Sequence, residues 1–196
     1  MVLSGPPDPA AWAQLRSLTG LSEESLHDRY WAHRNEYDRG TLNSITYWQT
    51  IARETGFPLD TQKQLALEAT DVDLWTAPNP QMIDWAQRLQ ARGIKTGILS
   101  NIGDSMSRGI LAKLAWVGEF THHSWSHELR LIKPDAAIYL HAAEGLGCPP
   151  EQVLFIDDRE ENIAGAQAAG MQAIIYRDHE SFLREMKDRG FGYLLA

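Results

Sequence analysis

Cysteine is nearly missing from this chain. Cys148, between Gly147 and Pro149, is the only one, so neither an internal disulfide nor a thiolate metal cage can be built. Its setting reads as a small turn residue rather than a nucleophile. Long apolar runs are missing too. None approaches the ~18 consecutive residues that span a bilayer, and the first residues show no charged-then-apolar leader, so the expectation is a cytoplasmic protein with no membrane contact. There are no repeats, no low-complexity tracts and no basic cluster. The formal charge of −8 is spread along the chain, which argues against nucleic acid and anionic membrane as partners and leaves a small cation, such as a metal ion, open. The oligomeric state leaves no mark in the sequence.

What is present fits a globular fold. The 196 residues, 43% apolar and 22% charged, suggest one domain, or one domain with a modest insertion. The first third lacks any strand-like alternation. AAWAQLRSLTG stops at Gly20, and SEESLHDRYWAHRNEYDRG reads as one helix from Ser22 to Gly40, with Leu26, Tyr30 and Trp31 near one face. TLNSITYWQTIARETG places Ile45, Trp48, Ile51 and Ala52 at helical spacing, and DTQKQLALEATDVDLW is a fourth candidate. From Pro78 helices and strands alternate. PQMIDWAQRLQARG, SMSRGILAKLAW, PDAAIYLHAAEGLG, EENIAGAQAAG and HESFLREMKDRG read as helices. IKTGILSN, THHSWSHE, VLFIDD and QAIIYR read as strands. Strands separated by helices imply parallel pairing with right-handed crossovers, and runs such as VLFI suit strands buried on both faces. In such sheets ligands bind beyond the carboxyl ends of the strands. That directs attention to Ser100-Asn101, Glu128 to Lys133, Asp157-Asp158 and Arg177-Asp178.

Each candidate has two readings. Asp157-Asp158 could cap the next helix, but one aspartate suffices for a cap. Two, with Glu160, Glu161 and Asn162 close behind, concentrate negative charge where hard oxygen ligands suit Mg²⁺. Ser100 and Asn101 are common turn residues that could also hold phosphate oxygens. Lys133 precedes a Pro-Asp helix start. It is either a solvated surface charge or a counter-charge to the acidic pair. His122, His123 and His127 complete no transition-metal motif and read as structural or surface residues. The tryptophans and tyrosines of the first third read as core, with some available to line a pocket.

Together GILSN, IKPDAAIY and VLFIDDREENIAGAQAAGM resemble three ordered motifs of the haloacid dehalogenase-like hydrolase superfamily, over about Pro78 to Arg177. The resemblance implies an α/β fold: a Rossmann-like parallel sheet with helices on both faces over 78–196, a small α-helical cap over 8–77, and 1–7 as the connection between them. It implies a Mg²⁺-dependent phosphatase of a small phosphorylated metabolite by ancestry, with dehalogenation as the family's other chemistry. Ser100 would bind the phosphoryl group beside Asn101, and Lys133 would balance charge. Asp158 would ligate Mg²⁺ directly, Asp157 would do so through water, and Asn162 would support them. One part has no match. The family's nucleophilic aspartate ends a central first strand, whereas MVLSGPPDPAAW offers no apolar strand, and Asp8 follows two prolines. The chain is therefore expected to lack that strand and to be inactive. The alternative is a non-catalytic relative that binds a phosphorylated ligand or a protein.

Overall fold

Helix boundaries in the first third follow from local capping. In the computed structural model, which describes residues 1–196, α1 (Pro9–Thr19) starts at Asp8, whose carboxylate accepts from the Ala10 N–H, and ends at Gly20 in the left-handed region. Ser22 caps α2 (Glu23–Ala32), Asn43 and Thr46 form a reciprocal capping box for α4 (Ser44–Thr55), and Asp60 caps α5 (Thr61–Trp75). The stretch expected to be one helix from Ser22 to Gly40 is two. The chain breaks at His33 and resumes as α3 (Arg34–Asp38), a turn that buries both Arg34 and Tyr37. Leu26 and Tyr30 are buried as expected. Trp31 and Ile45, expected on the same faces as buried neighbours, are 46% and 50% exposed.

Beyond Pro78 the alternation holds. The order is α6 (Pro80–Ala91), β1 (Gly97–Ser100), α7 (Asp104–Lys113), β2 (His122–Trp125), α8 (Ser126–Leu129), α9 (Ala136–Leu146), β3 (Leu154–Asp157), α10 (Glu160–Ala168), β4 (Gln172–Ile175) and α11 (His179–Asp188). Two expectations shift. THHSWSHE is strand only to Trp125 and then turns into α8, which puts His127 on a helix. The helix after Lys133 begins at Ala136, with Asp135 at its cap position.

The strands form two parallel pairs rather than one sheet. Gly97 to Ser100 register with His122 to Trp125, and Leu154 to Asp157 register with Gln172 to Ile175. This inverts the burial expected for VLFI. Leu154, Phe155 and Ile156 are half-buried, whereas Ala173 and Ile174 on the outer strand are buried, and Leu99 is likewise less covered than Ser124 and Trp125 on β2. The reason is that β1 and β3 line the two sides of one cavity of about 1060 Å³.

Three apolar clusters pack this frame. The largest joins the helical first third to Ile102, Met106, Val117 and Trp125. A second holds α6 against β4 and α11, and the third holds α9 against β3 and α10. The first residues run antiparallel beside the exit from α5. Gly5 donates to the Ala77 carbonyl, Asn79 donates to the Leu3 carbonyl, and Ser4 bridges Pro78. No helix is long and apolar enough to cross a membrane.

Candidate functional site

The carboxyl ends of β1 and β3 meet at Lys133. Its ammonium lies 2.6 Å from Asp157 Oδ2 and 3.3 Å from the Leu99 carbonyl, so one side chain ties the two strand pairs together. Asn101 holds the Lys133 backbone from both sides: its Oδ1 accepts from the Lys133 N–H at 2.8 Å, and its Nδ2 donates to the Lys133 carbonyl at 3.1 Å. Asn101 therefore positions the lysine backbone, with one amide N–H and one oxygen lone pair engaged in doing so.

Asp157 is buried and takes three donors. Oδ2 takes the lysine, while Oδ1 accepts from the Arg159 N–H at 3.0 Å and from Asn162 Nδ2 at 2.8 Å. A carboxylate buried with its side chain only 6% exposed is stable only because these donors replace its water. Asn162 is fixed in turn, with its carbonyl accepting from the Tyr139 hydroxyl. Burial, and the nearby Asp157 carboxylate, push the Tyr139 hydroxyl up from its ordinary pKa.

Asp158 differs. It is 40% exposed, and Oδ2 lies 2.5 Å from the Met1 ammonium. The Ser100 hydroxyl makes one contact, a long 3.5 Å donation to the neighbouring Asn101 carbonyl. Ser100, Asn101, Lys133, Asp157, Asp158 and Asn162 all border the same cavity. The acidic run beyond is neutralised in part by partners the sequence reading did not assign: Glu160 pairs with Arg177, and Glu161 pairs with Arg159.

A divalent ion fits this donor set in kind. Mg²⁺ is typically held by one or two carboxylates, with substrate phosphate and water completing the shell. No group of three or more His, Cys, Asp or Glu is placed to hold a metal. Asp157 and the more exposed Asp158 are the carboxylates that would hold it. Of His122, His123 and His127, His122 borders the cavity, and each has a partner of its own. His122 pairs with His141, His123 Nε2 is 2.8 Å from the Val117 carbonyl, and His127 meets the Ser107 hydroxyl.

One polar cluster escaped the sequence reading. Arg34, Asp71 and Tyr30 are buried together. The Tyr30 hydroxyl donates to Asp71 at 2.6 Å, and Arg34 pairs with Asp71 at 3.3 Å and with Asp38 at 2.9 Å. Burial raises the Asp38 carboxyl above its usual range, against the opposing pull of Arg34. Arg34 and Asp38 border the cavity from the helical side. Their i, i+4 spacing was a visible signal, but Asp71 lies 37 positions away and no local pattern links it to them.

The profile of the haloacid dehalogenase-like hydrolases matches residues 2–170. The chain belongs to this family. It is 34% identical to bifunctional epoxide hydrolase 2 of Rattus norvegicus over 115 residues, which are 56% of this chain and 20% of that protein, so it spans only a fifth of that relative's length. It is 26% identical over 175 residues to a phosphatase of Mycobacterium tuberculosis, covering 82% of this chain and 76% of that one. Among solved structures, a haloacid dehalogenase family enzyme of Bacteroides thetaiotaomicron, in complex with magnesium and inorganic phosphate, superposes with a TM-score of 0.76 at 17% identity, over 93% of each chain. That likeness shows the fold: the helix-rich α/β architecture is this hydrolase family's Rossmann-like one.

Proposed function

We propose that residues 1–196 carry the phosphoryl- and Mg²⁺-binding half of a phosphatase site for a small phosphorylated metabolite. The observation that supports it most is the convergence of the Lys133 ammonium, the free Ser100 hydroxyl and the Asp158 carboxylate on one cavity edge at the ends of β1 and β3. Ser100 would donate to a phosphoryl oxygen, and Lys133, held by Asn101 and Asp157, would supply the fixed positive charge. Bound at Asp158, Mg²⁺ would neutralise charge on the phosphoryl group. The helical residues 8–77 would act as a cap that selects the substrate, through Trp31, Arg34, Asn35, Asp38 and Trp75, which border the same cavity.

Turnover needs a nucleophile as well. Asp157 is held by Lys133, the Arg159 N–H and Asn162, and Asp158 is the carboxylate assigned here to the metal, so neither is assigned to attack phosphorus. The 196-residue chain is therefore expected to bind Mg²⁺ and phosphate with negligible hydrolysis, which favours a phosphorylated-ligand binder as the second reading. Calorimetric titration with Mg²⁺ and inorganic phosphate tests the site, and binding of neither would reject both readings. Steady hydrolysis of an aryl phosphate, lost on Asp158→Asn, would overturn the expected inactivity.

A further inference from the structure

A second cluster of metal-binding atoms lies at the other end of the strands, where β2 meets α9. Side chains along a strand alternate between its two faces. His122 and Ser124 therefore share the face of β2 that carries α9, while His123 turns the other way to the Val117 carbonyl. From α9, His141 reaches both. Its Nδ1 lies 3.0 Å from the Ser124 hydroxyl and 3.4 Å from His122 Nε2. Gly145, one turn further along α9, makes the space, because a Cβ there would stand 2.3 Å from the His122 ring. Both histidines are half-buried, and Ser124 is buried. His122 opens β2, so the cluster is remote from Lys133 and Asp158 at the carboxyl ends. His141 stands 19 positions from His122, a separation that no sequence motif marks.

The pair makes a poor hydrogen bond. Protein hydrogen bonds usually span about 2.7–3.2 Å, and this contact is longer. The ring centroids are 5.0 Å apart with planes at 44°, so the rings meet at a bend rather than end to end. The same spacing is that of a coordination shell. Zinc holds four ligands tetrahedrally, with bonds to nitrogen of about 2.0–2.1 Å, which sets two such nitrogens about 3.3–3.4 Å apart. Neighbouring nitrogens in a square-planar shell would stand only about 2.8–2.9 Å apart, which disfavours copper(II) and nickel(II). Mg²⁺ prefers oxygen ligands alone. No carboxylate or thiol joins the two histidines, and the nearest further donor is the Ser124 oxygen.

Zinc needs the two facing nitrogens bare, so each ring must carry its proton on the far one. Those atoms, His122 Nδ1 and His141 Nε2, are not among the sealed polar atoms that lack a partner, so water can accept from both. Loading then moves a proton within a ring and releases none.

We infer that His122, His141 and Ser124 form a zinc site, completed by water, that fastens α9 to β2 and is separate from the carboxylates assigned to Mg²⁺.

The test uses the whole 196-residue protein, stripped of metal by a chelator, and Zn²⁺ or Co²⁺ alone as probe. Calorimetry in excess Mg²⁺ should give one zinc per chain. In nitrogen NMR of the unaltered protein, one equivalent of zinc should shift the His122 and His141 rings together and leave His123 and His127 in place. Cobalt should show the intense visible absorption of a tetrahedral ion. His141→Ala should weaken zinc at least tenfold, and Ser124→Ala at least threefold. Still rings at His122 and His141 would overturn the proposal, whether or not a variant folds. So would displacement of zinc by Mg²⁺, which would put it on the carboxylates, the weak absorption of six-coordinate cobalt, or unchanged affinity in either variant.

Discussion

Lys133 and Asp157 show how much one pair can hold. Their side chains are 11% and 6% exposed, and the lysine also reaches Leu99 on the other strand pair. Removing one partner of such a pair leaves a buried charge uncompensated, at about 3–5 kcal/mol. Lys133→Met should therefore lower unfolding stability by roughly 3 kcal/mol in urea titration. Combining it with Asp157→Asn, which removes the stranded charge, should recover most of the loss. If the double variant is no more stable than Lys133→Met, the lysine acts through packing on Phe155, 5.7 Å away, rather than through charge. In the sequence Lys133 and Asp157 stood out by position after strands. That Asn101 would hold the lysine backbone depended on a contact across 32 positions, which no spacing announces.

At the scale of elements, capping was readable because it is local: an N-cap side chain bonds backbone two or three residues on. Ser22, the Asp60 start and the stops at Gly20 and Gly56 are all such signals. The break at His33 was not readable, because distant partners shape it. The His33 ring bonds Glu54 on α4 as well as Glu36. The hydrogen bond to Glu54 raises the His33 pKa, and the same bond lowers that of Glu54. A raised histidine stabilises fully below its unfolded value of ~6.5 and loses the contribution as pH rises through its folded value. A lowered glutamate stabilises above ~4.5 and loses the contribution as pH falls through its folded value. The pair should thus stabilise most between about pH 4.5 and 6.5, by no more than ~0.5 kcal/mol given its exposure. His33→Gln should flatten that rise in the melting temperature, read against pH.

Gly40 ends the next turn with φ 77°, and a Cβ there would stand 2.3 Å from the His127 carbonyl. Backbone strain and a backbone clash together should make Gly40→Ala cost about 2–4 kcal/mol, measured by urea denaturation. An unchanged midpoint would mean that α3 and α8 separate freely.

At the scale of the molecule, the largest apolar cluster runs from the helices of the first third into Ile102, Met106, Val117 and Trp125. The helical residues are thereby seated on the β1–β2 side of the cavity. The two strand pairs make a prediction of their own. The amides of Gly97, Leu99, Leu154 and Ile156 face the cavity and should exchange with solvent at least tenfold faster than that of Phe155, which faces its partner strand. Uniform protection along β3 would show that the two pairs close on each other in solution.

Periodicity, capping residues and the order of three strand-end motifs were enough to place the helices, the strands, the parallel pairing and the family, because each is set by residues within a few positions of one another. Tertiary structure alone decided three things: that Asp157 is buried among three donors while Asp158 is 40% exposed, that Arg34 and Asp71 are buried together, and that β1 and β3 line one cavity. All three depend on which distant groups compete for the same hydrogen bonds and the same apolar space, and a linear pattern does not encode that competition.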